Sequence, residues 1–282
     1  MWTFVFLHPH PDDEALASGG TVAALAQAGH RVVLVFATRG EAGIVPADLA
    51  DPDRLGELRA GEAQRAADVL GAARVAFLGY RDSGEDAAAA GPGSFAGADL
   101  EEAAARLVEL VRSEAADALV IYDPVGVTGH PDHVQVHRVG ARAAESLPGV
   151  RVYESTMSRS QVASFHAVIA DFARASGAPP TDDGGAPPLH GVPDAEVTTR
   201  VDVRPWLGAK RAAMAAHASQ IGPDSFFLAL RSADFARVFG VESYVDRLAA
   251  SAGPGPLEAA LVGVAALSAA DVDGPAGSVP QE

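Results

Sequence analysis

No cysteine occurs anywhere in the 282 residues. Disulfides, thiol nucleophiles and thiolate metal sites are therefore excluded. Any metal must rest on His and carboxylate ligands, the donor types of catalytic zinc sites that keep a position open. Basic side chains are scarce: 21 Lys and Arg stand against 37 Asp and Glu, a formal net charge of -16. Such a surface repels polyanions, so neither nucleic acid nor an anionic membrane is expected as a partner. Long apolar runs are lacking too. The stretch from Trp2 to Leu7 is short and has no basic flank, so neither a signal peptide nor a membrane span is expected, and the cytoplasm is the expected location.

What is present has the composition of a globular protein, 48% hydrophobic and 21% charged. Four apolar runs, Phe4–Leu7, Val32–Ala37, Val75–Leu78 and Leu119–Tyr122, are each followed by a polar or glycine-rich loop. Helical periodicity follows over 14–29, 54–70, 99–115 and 132–146. Near-continuous apolar strands alternating with helices predict a mainly parallel α/β sheet, in three layers with helices on both faces. Further strands are expected at Val150–Glu154 and Glu196–Val203, with helices near 159–175 and 205–218 and a mixed segment to about 251. The stretch 177–194 is rich in Gly, Pro and Asp and reads as a long loop, a candidate lid. One domain over 1–252 is expected, followed by a tail, 253–282, that is partly helical or disordered.

In such folds ligands gather beyond the carboxyl ends of the strands. Two loops there are rich in metal-competent groups: His8-Pro9-His10-Pro11-Asp12-Asp13-Glu14 after the first strand and Gly129-His130-Pro131-Asp132-His133 after the fourth. His10 and Asp13 are three apart at a helix start and can face one point. Pro11 and Pro131 suit first helical turns, where no amide hydrogen is needed. His10, Asp13 and His133 together offer two imidazoles and a carboxylate, a facial set that leaves room for water. Asp12 is expected to point toward that water, and His130 toward a substrate oxygen. Acidic residues after a strand can also simply complement a helix dipole. Two such clusters on one sheet edge make that reading of them the weaker one.

These two motifs resemble the PIG-L/LmbE family of zinc-dependent N-deacetylases, which includes mycothiol-pathway deacetylases and mycothiol S-conjugate amidases. The likeness extends to Arg59 and Glu62 before Leu70-Gly71, to Gly79-Tyr80-Arg81-Asp82-Ser83-Gly84, and to Lys210 with His217-Ala218-Ser219-Gln220, spanning about 1–245. The resemblance implies a Rossmann-like fold and zinc, with iron(II) compatible, on His10, Asp13 and His133. It implies Asp12 as general base, His130 as oxyanion stabiliser, protonated or not, and Asp132 as the residue that orients His130. It places Arg59 and Asp82 on the sugar or inositol part of a small amino-sugar conjugate. Where the mycothiol-type deacetylase carries a tyrosine, this sequence has Thr128, taken as a further substrate contact. The implied reaction is attack of zinc-bound water on the amide of an N-acetylglucosamine-type conjugate. An amidase of mycothiol-like S-conjugates and a non-catalytic sugar- or nucleotide-binding protein are the rivals. A homo-oligomer is compatible with the sequence.

The remaining histidines read differently. His8 is expected behind the ligands or at the surface, and His137 in a local hydrogen bond. Glu14 and His30 suit helix-end roles. His217 is expected to be structural, while His166 and His190 carry no signal beyond position.

Overall fold

The computed structural model describes residues 1–47, 49–85, 91, 93–175, 189–247 and 253–262. The chain runs β1 (Thr3–His8), α1 (Asp13–Ala17), α2 (Gly19–Gln27), β2 (Arg31–Phe36), α3 (Leu55–Leu70), β3 (Arg74–Phe77), α4 (Leu100–Ser113), β4 (Ala118–Tyr122) and α5 (Pro131–Ala144). It continues through β5 (Arg151–Thr156), α6 (Arg159–Ala175), β6 (Thr199–Asp202), α7 (Leu207–Ala216), α8 (Phe226–Ala229), α9 (Ser232–Phe239) and β7 (Val241–Asp246). The seven strands form one sheet in the order β3-β2-β1-β4-β5-β7-β6. All pairs from β3 to β5 are parallel, and β7 is antiparallel to both β5 and β6. The protein is thus the mostly parallel α/β fold expected.

Alternation along the strands explains the layers, because successive side chains leave a strand on opposite faces. Phe4 and Phe6 of β1, with Val32, Leu34 and Phe36 of β2, enter a core shared with α2, α3 and α7. Val5, Leu7, Val33 and Val35 enter the opposite core, closed by Ala103, Leu107 and Val111 of α4 and Val136, Val139 and Ala143 of α5. The order reverses between β1 and β4, which are neighbours although β2 and β3 lie between them in sequence. The loops after β1 and β4 therefore flank a topological switch point, where open α/β sheets leave a crevice for ligands.

Several expectations need correction. The helix predicted over 14–29 is two helices, broken at Ser18 (φ -140°). Two contacts explain the break: the N–H groups of Gly20 and Thr21 donate to Glu242 at 2.9 and 2.7 Å, and a Cβ on Gly20 would meet Val203 Cβ at 2.4 Å. The late strand is shorter than 196–203, because Asp194–Glu196 forms a 3-10 turn. β7 lies unrecognised within the mixed segment. The segment expected as a partly helical or disordered tail has a helix at 256–262, with Leu257 and Ala260 buried in the first core. Residues 263–282 of that tail, and 177–188 of the expected lid, lie outside the described residues. At the lid's far end, His190 N–H donates to Val127 O (2.7 Å) and Val192 N–H to Met157 O (2.9 Å).

Candidate metal centre and active site

The first motif leaves β1 along Pro9, whose carbonyl accepts from Thr38 N–H and Oγ1 at 3.0 and 3.1 Å. The chain then turns sharply. Asp12, with φ 117° and ψ -32°, precedes α1, and its carbonyl accepts from the amides of Ala15 and Leu16. Such a backbone costs about 1–3 kcal/mol in a residue with a Cβ and persists only where its surroundings over-determine it. Arg59 supplies part of that restraint from α3. Its Nη2 donates to Pro11 O (2.6 Å) and Asp12 Oδ2 (3.1 Å), and its Nη1 to Gly40 O (2.7 Å).

The second motif needs no such strain at the site residue. His130 is the N-cap of α5 in ordinary backbone (φ -56°), its ring accepting from Asp132 N–H at 3.1 Å, and Pro131 follows at the first helical position. The turn before it is tighter: Gly126 has φ 67°, and a Cβ there would stand 2.5 Å from His133 Cβ.

Together the motifs put Asp13 between two imidazoles. Its Oδ2 is 3.3 Å from His10 Nδ1 and its Oδ1 is 3.5 Å from His133 Nε2. Ligands about 2.0–2.1 Å from a tetrahedral zinc stand roughly 3.3 Å apart. The far nitrogens are committed to oxygens: His10 Nε2 to Asp132 Oδ2 (3.1 Å) and Asp82 Oδ1 (3.4 Å), His133 Nδ1 to Gly126 O (3.1 Å). Carboxylates and carbonyls only accept, so those nitrogens carry the hydrogens. A neutral ring then turns a lone pair toward Asp13 from each side. At His133, whose pKa is lowered, that lone pair faces a carboxylate and calls for a cation, while His10 would have to give up a proton to one. The outer hydrogen bonds of both rings are of the kind metal-ligating histidines make. By donor type, His10, Asp13 and His133 suit a divalent metal. His130 stands beside it, with one nitrogen each of His10, His130 and His133 within 4.8 Å of one another. His10, Asp82 and Asp132 form a second group on the same criterion, but there the shared nitrogen is the one that donates.

The electrostatics follow from burial and neighbours. Burial opposes charging His10, yet Asp13, Asp132 and Asp82 outweigh it and raise its pKa well above the usual histidine value. Burial lowers His133 to about 4, and with His10 it also depresses His130. Burial would raise Asp13 and Asp82, but His133 and His10 hold Asp13, and His10 holds Asp82, below the usual carboxylate range. Asp12, buried and beside the Asp13 charge, is pushed up to about 7.

Some expected roles are altered by these contacts. Asp132 does not orient His130 through its carboxylate, which binds His10 and both the amide (3.0 Å) and hydroxyl of Ser83; only its backbone amide meets the His130 ring. His130 accepts at Nδ1, so its neutral ring carries hydrogen on Nε2. The Arg59 side chain is 4% exposed and packed beneath Asp12, and that of Asp82 is 6% exposed, tied to His10, Ala42 N–H and Gly84 N–H. Burial leaves neither the open position a sugar contact needs. Thr128 is half-buried, its hydroxyl accepting from His130 N–H and lying 3.4 Å from His133 Nδ1. His137 Nδ1 bonds Tyr122 O of β4, 15 residues away, at 3.0 Å rather than a local partner, and His8 is buried with Nδ1 3.0 Å from the Tyr122 hydroxyl. Ser83 and Tyr122 were not singled out from sequence. Ser83 had one signal, its place beside Asp82 at the end of β3; Tyr122, whose ring centroid lies 5.3 Å from that of His133, had none.

A mostly parallel α/β sheet thus carries a candidate His and Asp metal site at its switch point, where such sheets leave a crevice for ligands. The PIG-L family pattern, described as GlcNAc-PI de-N-acetylase, matches residues 5–144. A relative from Acidothermus cellulolyticus named 1D-myo-inositol 2-acetamido-2-deoxy-alpha-D-glucopyranoside deacetylase is 38% identical over 290 residues, 96% of this chain and 98% of the relative. One of the same name from Kineococcus radiotolerans is 42% identical over 252 residues, 78% and 69% of the two chains. The chain belongs to the PIG-L family. Among solved structures, the N,N'-diacetylchitobiose deacetylase from Pyrococcus horikoshii shares the fold, with a TM-score of 0.56 and 21% identity over 89% of this chain and 86% of that one.

Proposed function

We propose that this protein is a zinc-dependent N-deacetylase that releases acetate from an N-acetylglucosamine joined to inositol. The observation that carries the metal chemistry is the Asp13 carboxylate set between His10 Nδ1 and His133 Nε2, with both far nitrogens already bonded. The substrate rests on the names of relatives that match most of the chain. Those names favour neither an amidase of thiol conjugates nor a non-catalytic binding protein. A small sugar conjugate as substrate suits a cytoplasmic enzyme.

Held by His10, Asp13 and His133, zinc would polarise the amide carbonyl and bring the pKa of a water toward about 7; iron(II) suits the same donors. Asp12 takes the proton from the attacking water and returns it to the amine as the C–N bond breaks. In the metal-free site desolvation and the Asp13 charge push its carboxyl up to about 7, and a group that titrates near neutrality can both accept and give a proton. Arg59 bonds one Asp12 oxygen and leaves the other for the transfer. His130 donates from Nε2 to the carbonyl oxygen as charge develops there, a contribution worth roughly 3–4 kcal/mol in such sites. Asp132 and Ser83 keep the His10 ring in its tautomer. Atoms balance as amide plus water giving acetate plus free amine.

The test is release of acetate and free amine from N-acetylglucosaminyl-inositol, before and after chelation and with zinc restored. Chelator-sensitive release that Asp12→Ala abolishes is expected. Release that is indifferent to both would overturn the proposal.

A further inference from the structure

The fold contains a buried acid and imidazole that no step above uses. Glu14 Oε1 and His217 Nε2 are 2.5 Å apart, and both side chains are 0% exposed. They come from distant parts of the chain, Glu14 from the first turn of α1 and His217 from the residue after α7. The other Glu14 oxygen, Oε2, accepts the backbone N–H of Asp12 at 2.9 Å. That amide belongs to the one residue of the motif whose backbone is at φ 117°.

Among the described residues, His217 Nδ1 is buried without a hydrogen-bond partner, and the ring's one bond there goes to Glu14. The segment that carries it is anchored independently. Ser219 donates to Glu62 from its amide (2.8 Å) and hydroxyl (2.6 Å), and Gln220 bonds both the amide and the carbonyl of Ile44 at 2.9 and 2.8 Å. Glu62 lies on α3, the helix that presents Arg59 to the opposite side of Asp12. Asp12 is therefore gripped twice: at its carboxylate and the preceding carbonyl by Arg59, and at its amide by Glu14.

We propose that Glu14 and His217 are positioning residues for Asp12. The imidazole fixes one Glu14 oxygen, the other fixes the Asp12 amide, and the carboxylate is thereby aimed at the reacting water. This rests on the deacetylase reading. A pair that merely stabilised the core would change melting temperature without separating kcat from KM.

The test compares the zinc-loaded wild type with His217→Ala, His217→Gln and Glu14→Gln on N-acetylglucosaminyl-inositol. It reads kcat, KM, zinc per chain, and hydrogen exchange of the Asp12 amide. In His217→Ala, kcat is expected to fall about 100-fold, the cost of a misplaced catalytic group. KM should stay within about twofold, zinc should stay stoichiometric, and the Asp12 amide should exchange faster. His217→Gln keeps a donor for Glu14 and should recover roughly tenfold of that loss. The proposal is overturned if folded, zinc-loaded His217→Ala keeps wild-type kcat, or if His217→Gln is no better than Ala. Should His217→Ala fail to fold, Glu14→Gln decides by the same split: lowered kcat at constant KM supports the proposal, unchanged kcat overturns it. A wild type inactive on this substrate instead sinks the deacetylase reading, and the positioning role with it.

Discussion

The two motifs that meet at the candidate metal centre are held in opposite ways. His130-Pro131-Asp132-His133 is a self-sufficient helix start: His130 caps α5 in ordinary backbone and Pro131 occupies the first turn. His10-Pro11-Asp12-Asp13-Glu14 is not self-sufficient, because Asp12 sits at φ 117° and makes no side-chain cap. Its shape is imposed by Arg59 from α3 and by Glu14 backed by His217. One motif is specified by local helix-capping chemistry, the other by contacts 47 and 203 residues away. Stability should therefore tolerate local substitution in the second motif better than remote substitution around the first.

The largest effect should come where the motifs meet. Asp13→Ala removes the carboxylate between the two imidazoles, and loss of the metal's contribution of several kcal/mol predicts a fall in kcat of at least about 1000-fold. Zinc content by atomic absorption should fall with it; a fully active, zinc-replete Asp13→Ala protein would refute the ligand assignment. Next, His130→Asn should sharpen the comparison. Asparagine is a good N-cap, so stability should hold within about 1 kcal/mol in denaturant titration. Loss of the oxyanion donor should cut kcat about 100–1000-fold. A large stability loss would show that the second motif is not locally determined.

Arg59→Met probes the first motif from afar. It removes the Arg59 bonds to Pro11 O, Gly40 O and the Asp12 carboxylate, so about 3–5 kcal/mol of stability should be lost and kcat should fall about 100-fold. An Arg59→Met protein as stable as wild type would break the contrast. Metal binding should depend on pH with a defined sign. His10 is raised well above the usual histidine value by Asp13, Asp132 and Asp82 against the opposing effect of burial, so in the metal-free protein it holds a proton that the metal must displace. Zinc affinity by chelator competition should therefore rise with pH through neutrality, up to about tenfold per unit; a flat profile from pH 6 to 8 would contradict it. The smallest effect is expected from Ser83→Ala. Asp132 keeps its bond to His10, so kcat should fall only a few-fold, about 1 kcal/mol.

Much of this was legible because it is periodic or local. Strands β1 to β4 are built on apolar runs with helices between them, and the His-Pro-Asp pattern announces a helix start. Arg59 and Asp82 show the limit: both were marked as functional, yet their placement beneath the site, on Asp12 and His10, depends on packing that no local pattern records. Asp132 is a similar case, since the orientation of a helical carboxylate toward His10 and Ser83 depends on which loops arrive beside it.

The sequence by itself determined the parallel core, the donor types and the capped second motif, since each follows from side-chain periodicity or from hydrogen bonds within a few residues. Only the tertiary structure decided the insertion of β7 between β5 and β6, the break at Ser18 and the strained backbone of Asp12. Each of these is held by groups remote in sequence, Glu242 at the start of α2 and Arg59 and Glu14–His217 around Asp12. Such contacts exist only once the chain has closed on itself.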